Sequence, residues 1–243
     1  MTTRNGRLTL IRCLAISDLH GNLPALEAVL ATAGQVDLVI STGDYVGFGL
    51  QPNQVVSKIR GLPNLAPVQG NWSIIAQRPL PDDTDTPGKK VMKISLATLT
   101  QETRQFLKYL PARGYLNIEG VSVAFLHQTV LEPFEGDLTP NMDPALLKSN
   151  AEASHAQLVI HGDTHVQGRF EADGVTFVNP GSVGWPSDGD WRPAYAIIKL
   201  DRGTFQVDLL RVEYDVEAVY REMEKVGIPN AKNILKGVSW RAS

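Results

Sequence analysis

The chain has 243 residues and a mass of 26.6 kDa, enough for one substantial core and too little for two ordinary domains. With 43% apolar and 20% charged residues, the composition excludes a disordered or fibrous protein. The balance of 23 basic against 26 acidic side chains, a net charge of −3, speaks against a generic polyanion-binding protein, which would need an excess of Lys and Arg.

The first apolar run, residues 8–16, follows Arg4 and Arg7 and is interrupted by Thr9 and Arg12. It makes a poor signal-peptide core and a good strand over residues 10–16. Cys13, the single cysteine, excludes an intramolecular disulfide and a cysteine zinc cluster and reads as a core residue of a reducing compartment. No run approaches the roughly 18 apolar residues of a membrane span, so a cytoplasmic location without a membrane partner is expected.

An amphipathic helix is expected over 23–33, with Pro24 in its first turn and Gly34 just past its end. A strand at 38–41, a helix after Pro52 and a strand near 66–69 continue the alternation. The proline- and aspartate-rich segment 79–90 reads as a loop, and helical signals return over 97–110. Strands at 114–118 and 121–126 flank Glu119-Gly120 and form a hairpin. A helix at 144–154 and a strand at 158–160 precede a β-rich stretch at 168–171, 176–178, 195–200 and 204–211, with Asp173-Gly174 and Arg202-Gly203 as hairpin turns. The end, about 215–243, reads as peripheral helix. The rhythm predicts an α/β fold of two sheets with helices on their outer faces, in one domain over residues 1–243.

Polar, metal-capable side chains follow apolar strands at five places: Asp18 and His20, Asp44, Asn71, His127, and Asp163 and His165. Taken singly, each is an ordinary cap or turn residue. Together they matter, because functional crevices in α/β sheets lie outside the carboxyl ends of strands. Carboxylate, amide oxygen and imidazole form the donor mixture that metals of moderate hardness take.

In combination, Asp18-Leu19-His20-Gly21-Asn22, Gly43-Asp44, Gly70-Asn71, His127, Gly162-Asp163-Thr164-His165 and Asn179-Pro180-Gly181-Ser182-Val183-Gly184 resemble the calcineurin-like metallophosphoesterase superfamily, in its small bacterial phosphodiesterase branch. The resemblance implies a four-layer αββα sandwich with a site for two divalent cations. Mn²⁺ is the first expectation, with Fe, Zn and Mg as alternatives. By the family pattern Asp18, His20 and His165 hold one ion, Asp44 bridges, and Asn71 and His127 hold the other. A hydroxide trapped between ions about 3.5 Å apart would attack the phosphorus in line, with Asn71 and the ions on the phosphoryl oxygens. Asp44 and Asn71 are thus the expected catalytic residues.

Two positions depart from the pattern. Trp72 stands where the family usually has a His that assists the leaving group, and it has no titratable proton. It reads as a packing residue at the rim or as a platform for a nucleobase or aryl group. Asp163 replaces a His of the second ion's shell. It is expected to ligate that ion, with His161 as the substitute should its carboxylate not reach. Arg192 is a candidate phosphate contact. The glycines of 43–49 serve the turn around Asp44, since they lack the spacing of a phosphate-binding loop. The expected function is metal-dependent hydrolysis of a small phosphoester, with diesters ahead of monoesters and nucleotide esters among the candidates. The competing reading is a degenerate phosphoesterase fold used as a scaffold, as in the retromer subunit of this fold. Oligomeric state is not written in the chain.

Overall fold

A computed structural model describes residues 10–79, 86–132 and 134–228. One sheet has the order β10-β9-β1-β2-β3, built from β1 (Ile11–Ile16), β2 (Leu38–Ser41), β3 (Leu65–Pro67), β9 (Ala194–Asp201) and β10 (Thr204–Arg211). The other has the order β4-β5-β6-β8-β7, from β4 (Arg113–Ile118), β5 (Val121–Leu126), β6 (Leu158–Ile160), β7 (Gly168–Ala172) and β8 (Val175–Asn179). Each sheet has three parallel strands in its interior or along one side, and antiparallel hairpin partners complete it.

Strand periodicity decides how the layers stack. On β1, Cys13 and Ala15 face one way and Leu14 and Ile16 the other. The first pair joins Ile40, Ala196, Ile198 and Leu200 against Val121, Val123, Phe125, Leu158, Ile160 and Val178 of the opposite sheet. That buried layer glues sheet to sheet. Leu14 and Ile16 instead pack with α1 (Leu23–Ala33) and α2 (Pro52–Arg60), while Ala124, Leu126, Val159 and Phe177 pack under α6 (Pro144–Ser154). Helix, sheet, sheet, helix is the four-layer arrangement expected. Burial pushes the Cys13 thiol up to about 12, as befits an inert core residue.

Two elements, α4 (Pro87–Ala97) and α3 (Asn71–Ile75), differ from the sequence expectations. The expected helix near 97–110 is α5 (Gln101–Lys108), whereas α4 is a further helix that begins inside the expected loop 79–90. Thr86 caps α4 by accepting from Lys89 N, Thr100 caps α5 by accepting from Thr103 N, and Asn53 of α2 holds the break between them. A short helix, α3 (Asn71–Ile75), starts at a candidate site residue. At the far end, α7 (Val216–Lys225) turns Val219, Tyr220 and Met223 into the core beside α1 and leaves Glu217, Arg221, Glu222, Glu224 and Lys225 exposed. The rest of the expected terminal helix, 229–243, lies outside the described residues.

Candidate metal centre

Strand-end loops from both sheets converge on one buried cluster. Asp18 and His20 follow β1, Asp44 follows β2, Asn71 follows β3, His127 follows β5, and Asp163 and His165 follow β6. Asp18, His20 and His127 are fully buried, and Asp44 and His165 nearly so. Asn71 and Asp163 are the partly exposed members.

Five of the seven have left-handed backbones: Asp18 (φ 53°), His20 (45°), Asp44 (52°), Asp163 (69°) and His165 (58°). Such conformations cost about 1–3 kcal/mol each, and they persist only where the surroundings impose them. Here they fold the chain back on itself directly after each strand, so that successive side chains turn inward. Asp18 N donates to Gly43 O and His20 N to Asp44 O, lacing the β1 and β2 loops together. Gly70 must lack a side chain, since a Cβ there would run into the Asp44 carboxylate.

Each carboxylate is pinned by one oxygen and presents the other. Asp44 Oδ1 accepts from Trp72 N at 3.0 Å, and Asp18 Oδ2 from Asp163 N at 3.2 Å. Asp18 Oδ1 is then buried without a partner, 3.3 Å from His165 Nε2, 3.8 Å from His20 Nε2 and 4.0 Å from His127 Nε2. Asp44 Oδ2 lies 3.3 Å from His127 Nε2 and 3.9 Å from His20 Nε2. Both carboxylates therefore stand between the two imidazole groups, which widens the expectation of Asp44 as the single bridge.

The imidazoles are oriented alike. Nδ1 faces a backbone carbonyl in each: Val46 O for His20 (3.2 Å), Thr42 O for His127 (2.6 Å) and Trp185 O for His165 (2.7 Å). A carbonyl only accepts, so each ring carries its proton on Nδ1 and turns Nε2 inward, the arrangement that prepares imidazole as a ligand. His20 Nε2 and His165 Nε2 face each other at 3.0 Å. Two lone pairs at that distance repel unless a cation or a proton lies between them.

Electrostatics repeat the point. Burial and the nearby charge of His165 push His20 down to about 3, so it is neutral. Burial would also lower His127 and His165, but Asp44 and Asp163 outweigh it for His127, and Asp18 does so for His165; both are raised. Burial alone would lift Asp18, yet the three histidines hold it well below the usual carboxylate range. The cluster attracts positive charge strongly.

The donor set fits two divalent cations. Asp18, His20 and His165 form one compact group, and Asp18, Asp44 and His127 another. Asn71 Oδ1 is buried without a partner while its Nδ2 donates to Asp163 Oδ1 at 3.2 Å. Asp163 Oδ1 is 3.5 Å from His127 Nε2. The chain thus places Asn71 and Asp163 on the His127 side. His161 is not brought to the cluster; it is buried, with Nδ1 3.5 Å from Asn179 Nδ2. Arg192 pairs with Asp190, its Nη2 2.6 Å from Oδ2.

Trp72 is buried, its edge to His20 (ring centroids 5.7 Å, 82°) and against Phe48 (4.7 Å). That is a wall behind His20, with little face left for stacking a base. Phe48 also packs on Trp185, whose carbonyl orients His165. Phe48, Trp185 and the orienting carbonyls escaped the sequence reading, because backbone acceptors and core aromatics carry no motif. Among the described residues no helix is long and apolar enough to cross a membrane.

The calcineurin-like phosphoesterase superfamily domain matches residues 11–203. An uncharacterized protein of Methanocaldococcus jannaschii, MJ0912, is 29% identical over 233 residues, 88% of this chain and 92% of its own. The crystal structure of a metallophosphoesterase from Sphaerobacter thermophilus superposes with a TM-score of 0.80 at 29% identity, covering 95% of this chain and 99% of that one. The hypothetical protein PH1004 from Pyrococcus horikoshii shares the fold, with a TM-score of 0.78 at 19% identity and coverages of 93% and 97%. With its four layers, its ring of inward-facing donors and this match, the chain belongs to the calcineurin-like phosphoesterase superfamily.

Proposed function

We propose that the protein is a hydrolase using two divalent cations, Mn²⁺ first, to cleave phosphodiesters ahead of phosphomonoesters. The observation that carries this reading is the pair of inward-facing His20 and His165 Nε2 atoms 3.0 Å apart, beside the unpartnered Asp18 Oδ1. A scaffold has no use for such an arrangement, because burying unpaired donors and five left-handed backbones is costly without a bound cation. Likeness to the Sphaerobacter metallophosphoesterase supports it.

When bound, the cations supply positive charge for phosphoryl oxygens and bring the pKa of a water at the site toward neutrality. Asp18, His20 and His165 would hold one, with Asp44 shared, and His127, Asn71 and Asp163 the other. The protein's own part is to hold these donors rigidly. Thr42, Val46 and Trp185 carbonyls fix the imidazole tautomers, and the backbone N–H groups of Trp72 and Asp163 fix the carboxylates. Three acidic ligands, Asp18, Asp44 and Asp163, favour hard ions such as Mn²⁺ or Mg²⁺. Trp72 gives the leaving oxygen no proton, so esters with good leaving groups are the expected substrates. The test is hydrolysis of bis(p-nitrophenyl) phosphate and p-nitrophenyl phosphate before and after chelation. Activity lost on chelation, restored best by Mn²⁺ and higher on the diester supports the reading. Full activity in protein verified metal-free overturns it.

A further inference from the structure

None of the candidate ligands lies on the segment that leaves β8, residues 180–187, yet its hydrogen bonds run to both loops that carry the first cation's donors. Toward the β1 loop, Gly184 N donates to Asp18 O at 2.9 Å. A Cβ on Gly184 would stand 2.1 Å from Leu19 O, so glycine is what lets the segment lie so close. Toward the β6 loop, Ser187 Oγ donates to Thr164 O at 3.0 Å and Ser187 N to His165 O at 3.3 Å.

Ser182 joins the two sets of contacts. It is fully buried, and its Oγ donates to Asp18 O at 2.7 Å while accepting from Trp185 N at 2.7 Å. Trp185 O in turn faces His165 Nδ1 at 2.7 Å, and His165 Nε2 lies 3.3 Å from Asp18 Oδ1. The contacts close a ring that runs from the hydroxyl through Asp18, the His165 imidazole and the Trp185 main chain back to the hydroxyl. A hydroxyl both donates and accepts, which the ring requires at this position and alanine cannot supply. Asp18 and His165 both hold left-handed backbones, conformations that persist only under outside restraint. Ser182 restrains the first directly and orients the second through Trp185, while Ser187 ties down the backbone beside it.

We propose that Ser182, with Ser187 behind it, is a positioning residue that sets the separation of Asp18 from His165 and so the affinity of the first cation position. The inference rests on the two-cation reading. His127 stands outside the ring, oriented by Thr42 O and closest to Asp44, so the effect falls on one position and not on both.

The test is titration of the metal-stripped full chain with Zn²⁺, a diamagnetic probe, followed through the histidine ring ¹⁵N signals. His20 and His165 report the first position and His127 the second. Ser182→Ala should weaken the first relative to the second by at least about tenfold, the usual effect of removing a group that orients metal ligands. Ser187→Ala, a change at a half-buried position, should do so by about threefold, and it decides the matter alone should Ser182→Ala not fold. Equal weakening at both positions makes these serines general packing elements and overturns the proposal, leaving the metal reading intact. An unchanged ratio in the variants overturns it in the same way. Wild-type signals that do not respond to Zn²⁺ overturn the two-cation reading and the proposal with it.

Discussion

Asp163 holds a left-handed backbone, and its Oδ1 lies 3.5 Å from His127 Nε2 and 3.2 Å from Asn71 Nδ2. An Asn tolerates that backbone as well as Asp does, so Asp163→Asn removes charge with little added strain. It should weaken the second Mn²⁺ by at least about tenfold and leave the first ion bound, as read by metal titration. Asp163→His would raise the loaded cluster's charge by one, so the acidic limb of the pH–rate profile should move to lower pH. An unchanged second affinity in Asp163→Asn would return the residue to a turn role. Trp72 carries a second prediction. Because it gives no proton, alkyl diesters should be cleaved far more slowly than aryl diesters, and Trp72→His should narrow the gap by up to about 10²-fold. An unaltered leaving-group dependence would mean that another acid serves. Most of this site was legible in the sequence, since abrupt Asp, Asn and His after apolar strands are visible without coordinates. The left-handed backbones, the carbonyls behind each imidazole and the true position of His161 were not. They depend on how loops from separate strands meet, and no residue type encodes that.

Asn53 illustrates what the elements hide from the sequence. Its Nδ2 donates to Thr98 O at 2.8 Å and its Oδ1 accepts from Thr100 N at 3.0 Å, pinning the break between α4 and α5. The proline- and aspartate-rich start of 79–90 hides α4 (Pro87–Ala97), which runs up to that break. The partner that decides the matter sits 45 residues earlier on another helix. Asn53→Ala should cost about 1 kcal/mol in denaturant unfolding with Mn²⁺ stoichiometry unchanged; altered stoichiometry would show that the break shapes the site. The strands fared better, because period-2 alternation must match a buried face on each side. On β1, Cys13 and Ala15 against Leu14 and Ile16 is enough to predict two layers of packing. On α7, Val219, Tyr220 and Met223 show an apolar face in the sequence without saying that α1 is what it covers.

Across the whole molecule, stability and metal loading are linked through the same histidines. His127 and His165 have pKa values raised in the metal-free fold, despite burial, by Asp44 with Asp163 and by Asp18 respectively. A raised histidine stabilises the fold fully below its unfolded pKa of about 6.5, and that contribution is lost as pH rises through the folded value. Metal-free protein should therefore lose melting temperature as pH rises above about 6.5, whereas Mn²⁺-loaded protein should not. Cation binding should also release protons in that range. A metal-free melting temperature that holds or climbs above that pH would contradict the charge assignment. The central claim, that these strand-end side chains converge to hold two cations for hydrolysis, is tested most directly by titrating the metal-stripped full chain with Mn²⁺ while following bis(p-nitrophenyl) phosphate cleavage at each step. Two ions should bind per chain, with activity appearing as the second site fills. Binding of one ion or none, or cleavage that does not follow occupancy, would contradict it.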